Sequence, residues 1–306
     1  MNQQLWTRTN TVTQYDDRGN ELENQDAIGV YSAAYFGYND TRVTAVAGNA
    51  QRREISFEGF EDYQYLNDCT QTIDNVIARK NIVLYKNRMT QIVPTAHTGK
   101  ASLFITGDVL FVNYLDTKCE DNSTGSRPVA DIDDNCSTCA AQLNLKSGQK
   151  YRMSVWVATD ASIKIGGSPA SQLSIALTFP ESNQSVVLEF EAEKPIVDGW
   201  QQMVCNFVVP DFEDNSINNA FELYFSNSAK AGKFYIDDFR VHPFISNMKS
   251  FVYDPYSLRL LAELDENNYA TMYEYDDEGI LVRVKRETEK GIITVQESRT
   301  VLKPNH

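Results

Sequence analysis

The chain has 306 residues, 42% of them apolar, which is enough for a sizeable core in one large or two modest domains. Its 42 acidic against 28 basic side chains leave a formal net charge of −14, which repels phosphate backbones and excludes nucleic acid as a partner class. No stretch reaches the ~20 apolar residues that a membrane helix needs.

Helical periodicity is nearly absent, and aromatic residues, which favour strands, are plentiful: 16 Tyr and 15 Phe. Short alternating runs broken by Gly, Asn, Asp and Pro predict an all-β chain of hairpins and a sandwich. The first run ends in Tyr15-Asp16-Asp17-Arg18-Gly19-Asn20 and is followed by Asp26-Ala27-Ile28-Gly29, Tyr31, Tyr35 and Tyr38-Asn39-Asp40. Asp opens a turn by accepting hydrogen bonds from its own backbone, and Gly or Asn then takes positive φ. Ile55-Ser56-Phe57-Glu58-Gly59 opens a second region, and Asn75–Tyr85 reads equally as a short helix or a strand. His97-Thr98-Gly99-Lys100-Ala101-Ser102-Leu103 follows.

A polar stretch then carries Cys119 and the C-x-x-C pair Cys136 and Cys139. With one such pair and only three histidines, zinc is disfavoured and a disulfide among the loop cysteines is expected, its connectivity open among Cys69, Cys119, Cys136 and Cys139. Asp131, Asp133 and Asp134 form an acidic loop without the Gly and distal Glu of an EF-hand. Tyr151–Val157 alternates, with Tyr151, Met153, Val155 and Val157 on a core face and Arg152, Ser154 and Trp156 on the other. Trp200 and Cys205 belong to a core-facing strand, and Phe234–Val241 closes the region with Tyr235-Ile236-Asp237-Asp238-Phe239-Arg240. The last runs, Tyr253-Asp254-Pro255 and Tyr269 through Tyr275-Asp276-Asp277-Glu278-Gly279, echo the first ones: Tyr15 to Tyr38 and Tyr253 to Tyr275 stand at nearly the same spacing.

These end segments, with Y-D-x-x-G turns and regularly spaced tyrosines, resemble the YD repeats of Rhs-type and teneurin-type proteins, which are large secreted or surface proteins. The middle region resembles the galactose-binding-like jelly rolls of carbohydrate-binding modules. It has the F-E near the start, the H-x-G-x-x-S-L strand, the G-x-x-Y-x-x-S-x-W strand, the G-W strand and the closing Y-I-D-D-F-R strand, all in order. Three segments are therefore expected. A YD-repeat-like hairpin segment spans 1–50, and a jelly-roll sandwich spans 51–245 with a loop insertion at about 116–140. A second hairpin segment with a tail spans 246–306. The two end segments are expected to pack as one sheet, and Phe57 and Phe239 to lie on adjacent strands.

The jelly-roll resemblance implies a structural calcium ion held by Glu58, the Lys100 backbone oxygen and Asp237, since calcium takes several hard oxygen ligands. For a glycan, aromatic faces and planar polar groups are needed, and Arg152, Trp156 and Tyr224 are the candidate contacts. No Ser-His-Asp arrangement, P-loop or dinucleotide fingerprint is present, so the expected role is non-catalytic. The start, Met1-Asn2-Gln3-Gln4-Leu5-Trp6, lacks the basic and apolar regions of a signal peptide. That leaves a cytoplasmic protein or the C-terminal part of a longer exported repeat protein, and the resemblances favour the second, with a polysaccharide or cell-surface glycan as partner. The alternative is a structural spacer or protein-interaction domain without a small ligand.

Overall fold

The computed structural model describes residues 8–16, 18–62, 83–84, 90–106, 109–112, 119–120, 127–128, 143–159, 173–179, 184–192, 195–211, 222–227 and 234–298. Cys69, Cys136, Cys139, the acidic loop at Asp131 and most of Asn75–Tyr85 lie outside them.

In chain order, four strands come first: β1 (Asn10–Tyr15), β2 (Glu21–Asp26), β3 (Tyr31–Gly37) and β4 (Arg42–Gly48). A 3-10 turn, Arg52–Glu54, leads into β5 (Ser56–Glu58). The middle strands are β6 (Val83–Leu84), β7 (Thr90–Val93), β8 (Ser102–Ile105), β9 (Val109–Val112), β10 (Cys119–Glu120), β11 (Arg127–Pro128), β12 (Lys150–Thr159), β13 (Leu173–Phe179), β14 (Gln184–Leu188), β15 (Glu191–Ala192), β16 (Trp200–Val208), β17 (Glu222–Asn227) and β18 (Phe234–Pro243). The chain ends with β19 (Asn247–Tyr253), β20 (Leu260–Leu264), β21 (Ala270–Tyr275), β22 (Leu281–Thr288) and β23 (Gly291–Glu297).

The middle strands make a jelly-roll-type β-sandwich. One sheet runs β15-β16-β12-β18-β8-β7, with β5 also on β18, and the facing sheet runs β14-β13-β17-β9-β6. Period-2 alternation fills the space between them. Tyr151, Met153, Val155 and Val157 of β12 and Met203, Cys205 and Phe207 of β16 meet Ile175, Leu177 and Phe179 of β13 and Leu223 and Phe225 of β17 in one buried cluster. Cys205 is thus a buried hydrophobe with a free thiol. The first and last sandwich strands are neighbours, Phe239 pairing with Glu58 and Arg240 with Phe57.

The end segments form one nine-stranded antiparallel sheet, β1-β2-β3-β4-β19-β20-β21-β22-β23. Its seam is the β4–β19 pair, Gly48 opposite Asn247, so the chain leaves the sheet into the sandwich and re-enters it at the adjacent position. At this seam Tyr38 and Tyr253 pack edge to face at 5.6 Å between ring centroids. The Tyr38 hydroxyl donates to the Tyr253 carbonyl at 2.7 Å and accepts from the Tyr253 N–H at 2.9 Å.

Four of the hairpin turns are built alike. The backbone N–H of Asp16, Asp26, Asp265 and Asp276 donates to the carbonyl of Asn20, Val30, Tyr269 and Ile280, at 3.0–3.1 Å. Each Asp Oδ1 accepts the N–H of that same residue at 2.8–2.9 Å. The fourth turn residue sits at positive φ: Gly19 (83°), Gly29 (90°), Asn268 (62°) and Gly279 (82°). Asp followed three positions later by Gly or Asn is therefore the sequence code of the sheet. The inner face of this sheet is small and apolar where it meets the sandwich: Ala33, Ala45, Ala47, Ala262 and Ala270 let it approach Ile55 and Phe57 closely.

Candidate functional site

The joint between sandwich and hairpin sheet is set by a β-bulge. Along the β12–β18 pair, Ser154 faces Arg240 and Trp156 faces Asp237, so β18 carries one residue more than β12. The extra residue is accommodated at Asp238, whose φ is +48°. The bulge keeps Ile236 and Phe239 both in the core and leaves Asp237 and Asp238 buried and aimed at one loop. Asp237 Oδ2 accepts the N–H of His97 (2.8 Å) and of Thr98 (3.3 Å), and its Oδ1 accepts the N–H of Asp238 (2.8 Å). Asp238 Oδ2 lies 2.7 Å from His97 Nδ1, and Thr98 Oγ1 donates to Asp238 Oδ1 at 2.8 Å.

His97 reaches across to the other sheet, with Nε2 3.2 Å from Glu287 Oε1 on β22. Its ring stacks on Trp156 at 3.8 Å and 15°. Burial opposes the charge of this imidazole, but Glu287 and Asp238 outweigh it and hold the pKa up at about 9. His97 is therefore a buried imidazolium bridging sandwich and hairpin sheet. Sequence reading assigned it no role, because its two partners lie far away in the chain.

The residues implied for calcium come to neighbouring strands, but their oxygens face N–H donors. Glu58 Oε1 accepts the Phe60 N–H at 2.9 Å, and Asp237 is engaged as described. The Lys100 ammonium bonds Asp254, and the N–H of Lys100 goes to Glu61. Burial pushes the Glu61 carboxyl up to about 7, despite the N–H groups of Lys100 and Ala101 that it accepts. Among the described residues no three His, Cys, Asp or Glu side chains group as a metal cage. The Glu58 and Asp237 carboxylates thus accept N–H groups, and the nearby positive charge is His97, whereas calcium takes about six to eight oxygen ligands.

The glycan candidates separate. Trp156 is fully buried, one ring face covered by His97, so it presents no platform to solvent. Tyr224 sits half-buried on β17, between core residues Leu223 and Phe225, and hence on the outer face of the opposite sheet. Arg152 lines a pocket of about 230 Å³ between the outer face of β12, β16 and β18 and the β20–β21 turn.

That pocket is polar by construction. Ser154 on β12, Gln202 on β16, and Arg240 and His242 on β18 form its floor, and Asn267, Asn268 and Tyr269 its rim. Arg240 ties floor to rim, with Nη1–H donating to the Asp265 carbonyl (2.9 Å) and Nη2–H to the Leu264 carbonyl (3.0 Å). Burial draws the Arg240 pKa down to about 10, so it stays a cation at neutral pH. Burial draws His242 down to about 4, so it is neutral, with Nδ1 2.8 Å from Ser246 Oγ. Three buried polar atoms on pocket-lining residues have no hydrogen-bond partner among the described residues: Gln202 Oε1, Arg240 Nε and Asn268 Oδ1. An orphaned buried polar atom costs about 1–3 kcal/mol, and all three belong to residues that line this pocket.

No protein-family model matches the sequence, and no curated protein matches it. Several solved structures share the β-sandwich architecture at low similarity. The second CBM22 xylan-binding domain of Paenibacillus barcinonensis Xyn10C is 14% identical, covers 61% of this chain and 98% of its own, and superposes with a TM-score of 0.33. The first such domain of the same enzyme is 12% identical, with 61% and 92% covered and a TM-score of 0.32. TmCBM61, solved with β-1,4-galactotriose, is 12% identical, with 55% and 92% covered and a TM-score of 0.26. Scores this low leave the fold to rest on the strand order and core described above.

Proposed function

We propose that this chain is a non-catalytic carbohydrate-binding protein whose sandwich, with the adjoining hairpin turn, takes a neutral sugar unit in the pocket at Arg152. The single observation that carries the reading is the trio of orphaned polar atoms, Gln202 Oε1, Arg240 Nε and Asn268 Oδ1. Two are acceptors and one is a donor. A sugar hydroxyl both donates and accepts, so neighbouring hydroxyls of one pyranose answer all three, whereas a bare anion or cation answers only one kind. The cavity, about 230 Å³, suits one sugar unit. The half-buried ring of Tyr269 on the rim supplies an apolar edge.

The hairpin sheet, with its repeated Asp turns, is the scaffold on which this unit is presented. We take it to be a short stretch of YD-type repeat within an extracellular or cell-surface protein. The test of binding is migration in native gels cast with neutral polysaccharides: xylan, galactan and β-glucan. Retardation by at least one, reversed by its soluble oligosaccharide, is expected. The burial of Trp156 favours a second reading, a spacer or protein-interaction domain, and unaltered migration in every gel supports that reading instead.

A further inference from the structure

A second cleft, of about 600 Å³, lies at the other end of the same hairpins, between the His97–Lys100 turn of the sandwich and the β19–β20 and β21–β22 turns of the sheet. It has three features that the polar pocket lacks. The first is an open aromatic side chain on a fixed turn. Tyr256 is 94% exposed, yet its turn is fixed, because Asp254 Oδ1 accepts the N–H of Tyr256 (3.0 Å) and of Ser257 (2.7 Å). Asp254 is itself held by the Lys100 ammonium.

The second is an unneutralised cation. In a chain of net charge −14, Arg259 forms no ion pair among the described residues. Lys100 is paired with Asp254, and Arg283 and Lys285 with Glu274. The guanidinium of Arg259 lies over the Tyr275 ring, 5.8 Å from its centroid, and against the backbone of Gly279, where a Cβ would stand 1.7 Å from Nη2. The third is the Asp276 carboxylate, which lines the same cleft and accepts the Ile280 N–H with Oδ1.

We propose that this cleft binds a uronic acid unit of an acidic polysaccharide. Arg259 takes the sugar carboxylate with its planar fork, Tyr256 stacks on the ring, and Asp276 accepts a hydroxyl hydrogen. A guanidinium without an ion pair among the described residues, beside the Asp276 carboxylate, matches a ligand with one carboxylate and several hydroxyls per unit. The site stands apart from the Arg152 pocket and does not depend on it.

The experiment is calorimetric titration of the full chain with galacturonic acid trimer, and with neutral galactose trimer as control. The acidic trimer is expected to bind, and to weaken as salt is raised. Arg259→Gln and Tyr256→Ala are each expected to raise its Kd at least about tenfold, the equivalent of one charge-assisted hydrogen bond. Both side chains are at the surface, so unchanged melting temperatures are expected to accompany the loss. Gln202→Met and Asn268→Gly, which alter only the other pocket, are expected to leave the acidic trimer's affinity unchanged. The proposal is overturned if the wild type does not bind the acidic trimer at millimolar concentration, if Arg259→Gln binds it as tightly as the wild type, or if tetraglutamate displaces it.

Discussion

The most consequential side chain in this molecule is His97. Its two ring N–H groups donate to carboxylates that belong to different sheets, Nδ1–H to Asp238 and Nε2–H to Glu287, and it stacks on Trp156. Its folded pKa, about 9, lies above the ordinary 6.5, so the stability it contributes is fully present below 6.5 and is lost as pH rises through 9. Melting temperature is therefore expected to fall from about pH 6.5 to pH 9 and to level off above it. His97→Gln is expected to remove that limb and to cost roughly 3–5 kcal/mol at neutral pH, the scale for breaking a buried ion pair. A wild-type pH profile retained in His97→Gln contradicts this account. The same charge balance bears on calcium. With N–H donors on Asp237 and Glu58 and an imidazolium beside them, the melting curve is expected to be the same in chelator and in millimolar calcium, and a calcium-dependent rise overturns that expectation.

At the scale of elements, the hairpin turns were the most legible part of the sequence. Asp with Gly or Asn three positions on is a local code, and its hydrogen bonds close within five residues. The structure adds that each of these four turns closes one hairpin of the sheet. Gly279 and Gly19 share φ near +82°, but a Cβ at Gly279 runs into the Arg259 guanidinium, while at Gly19 it meets open space. Gly19→Ala is expected to cost about 1 kcal/mol for left-handed backbone alone. Gly279→Ala is expected to cost more, since Arg259 has to move off Tyr275, and equal urea midpoints for the two variants refute this difference. The bulge at Asp238 was not legible, because a one-residue register shift depends on which strand β18 meets. Alternation did place Arg152, Ser154 and Trp156 on one face. It could not say that a loop from elsewhere in the chain, carrying His97, would cover one end of that face and leave the other open.

At the scale of the whole molecule, a sandwich of nearly two hundred residues stands where a hairpin turn would otherwise join β4 to β19. The two ends of the chain depend on each other through that seam, through Tyr38 on the Tyr253 backbone and through the shared cluster beneath. Removing residues 251–306 is therefore expected to open β1–β4 to protease, since four strands lose the neighbour that completes their sheet. Equal protection of the N-terminal hairpins with and without those residues contradicts the seam. The insertion also explains why the polar pocket escaped sequence reading. Its floor comes from the sandwich and its rim from the β20–β21 turn, and nothing local to Gln202, or to Asn268 in its Asp turn, says that the two meet. The most direct test of the central claim compares neutral trisaccharide binding by calorimetry in the wild type and in Asn268→Gly, which deletes one orphaned acceptor but keeps a residue suited to positive φ. Binding by the wild type and a loss of roughly tenfold or more in the variant are predicted, whereas equal binding by the two, or none by the wild type, contradicts the account.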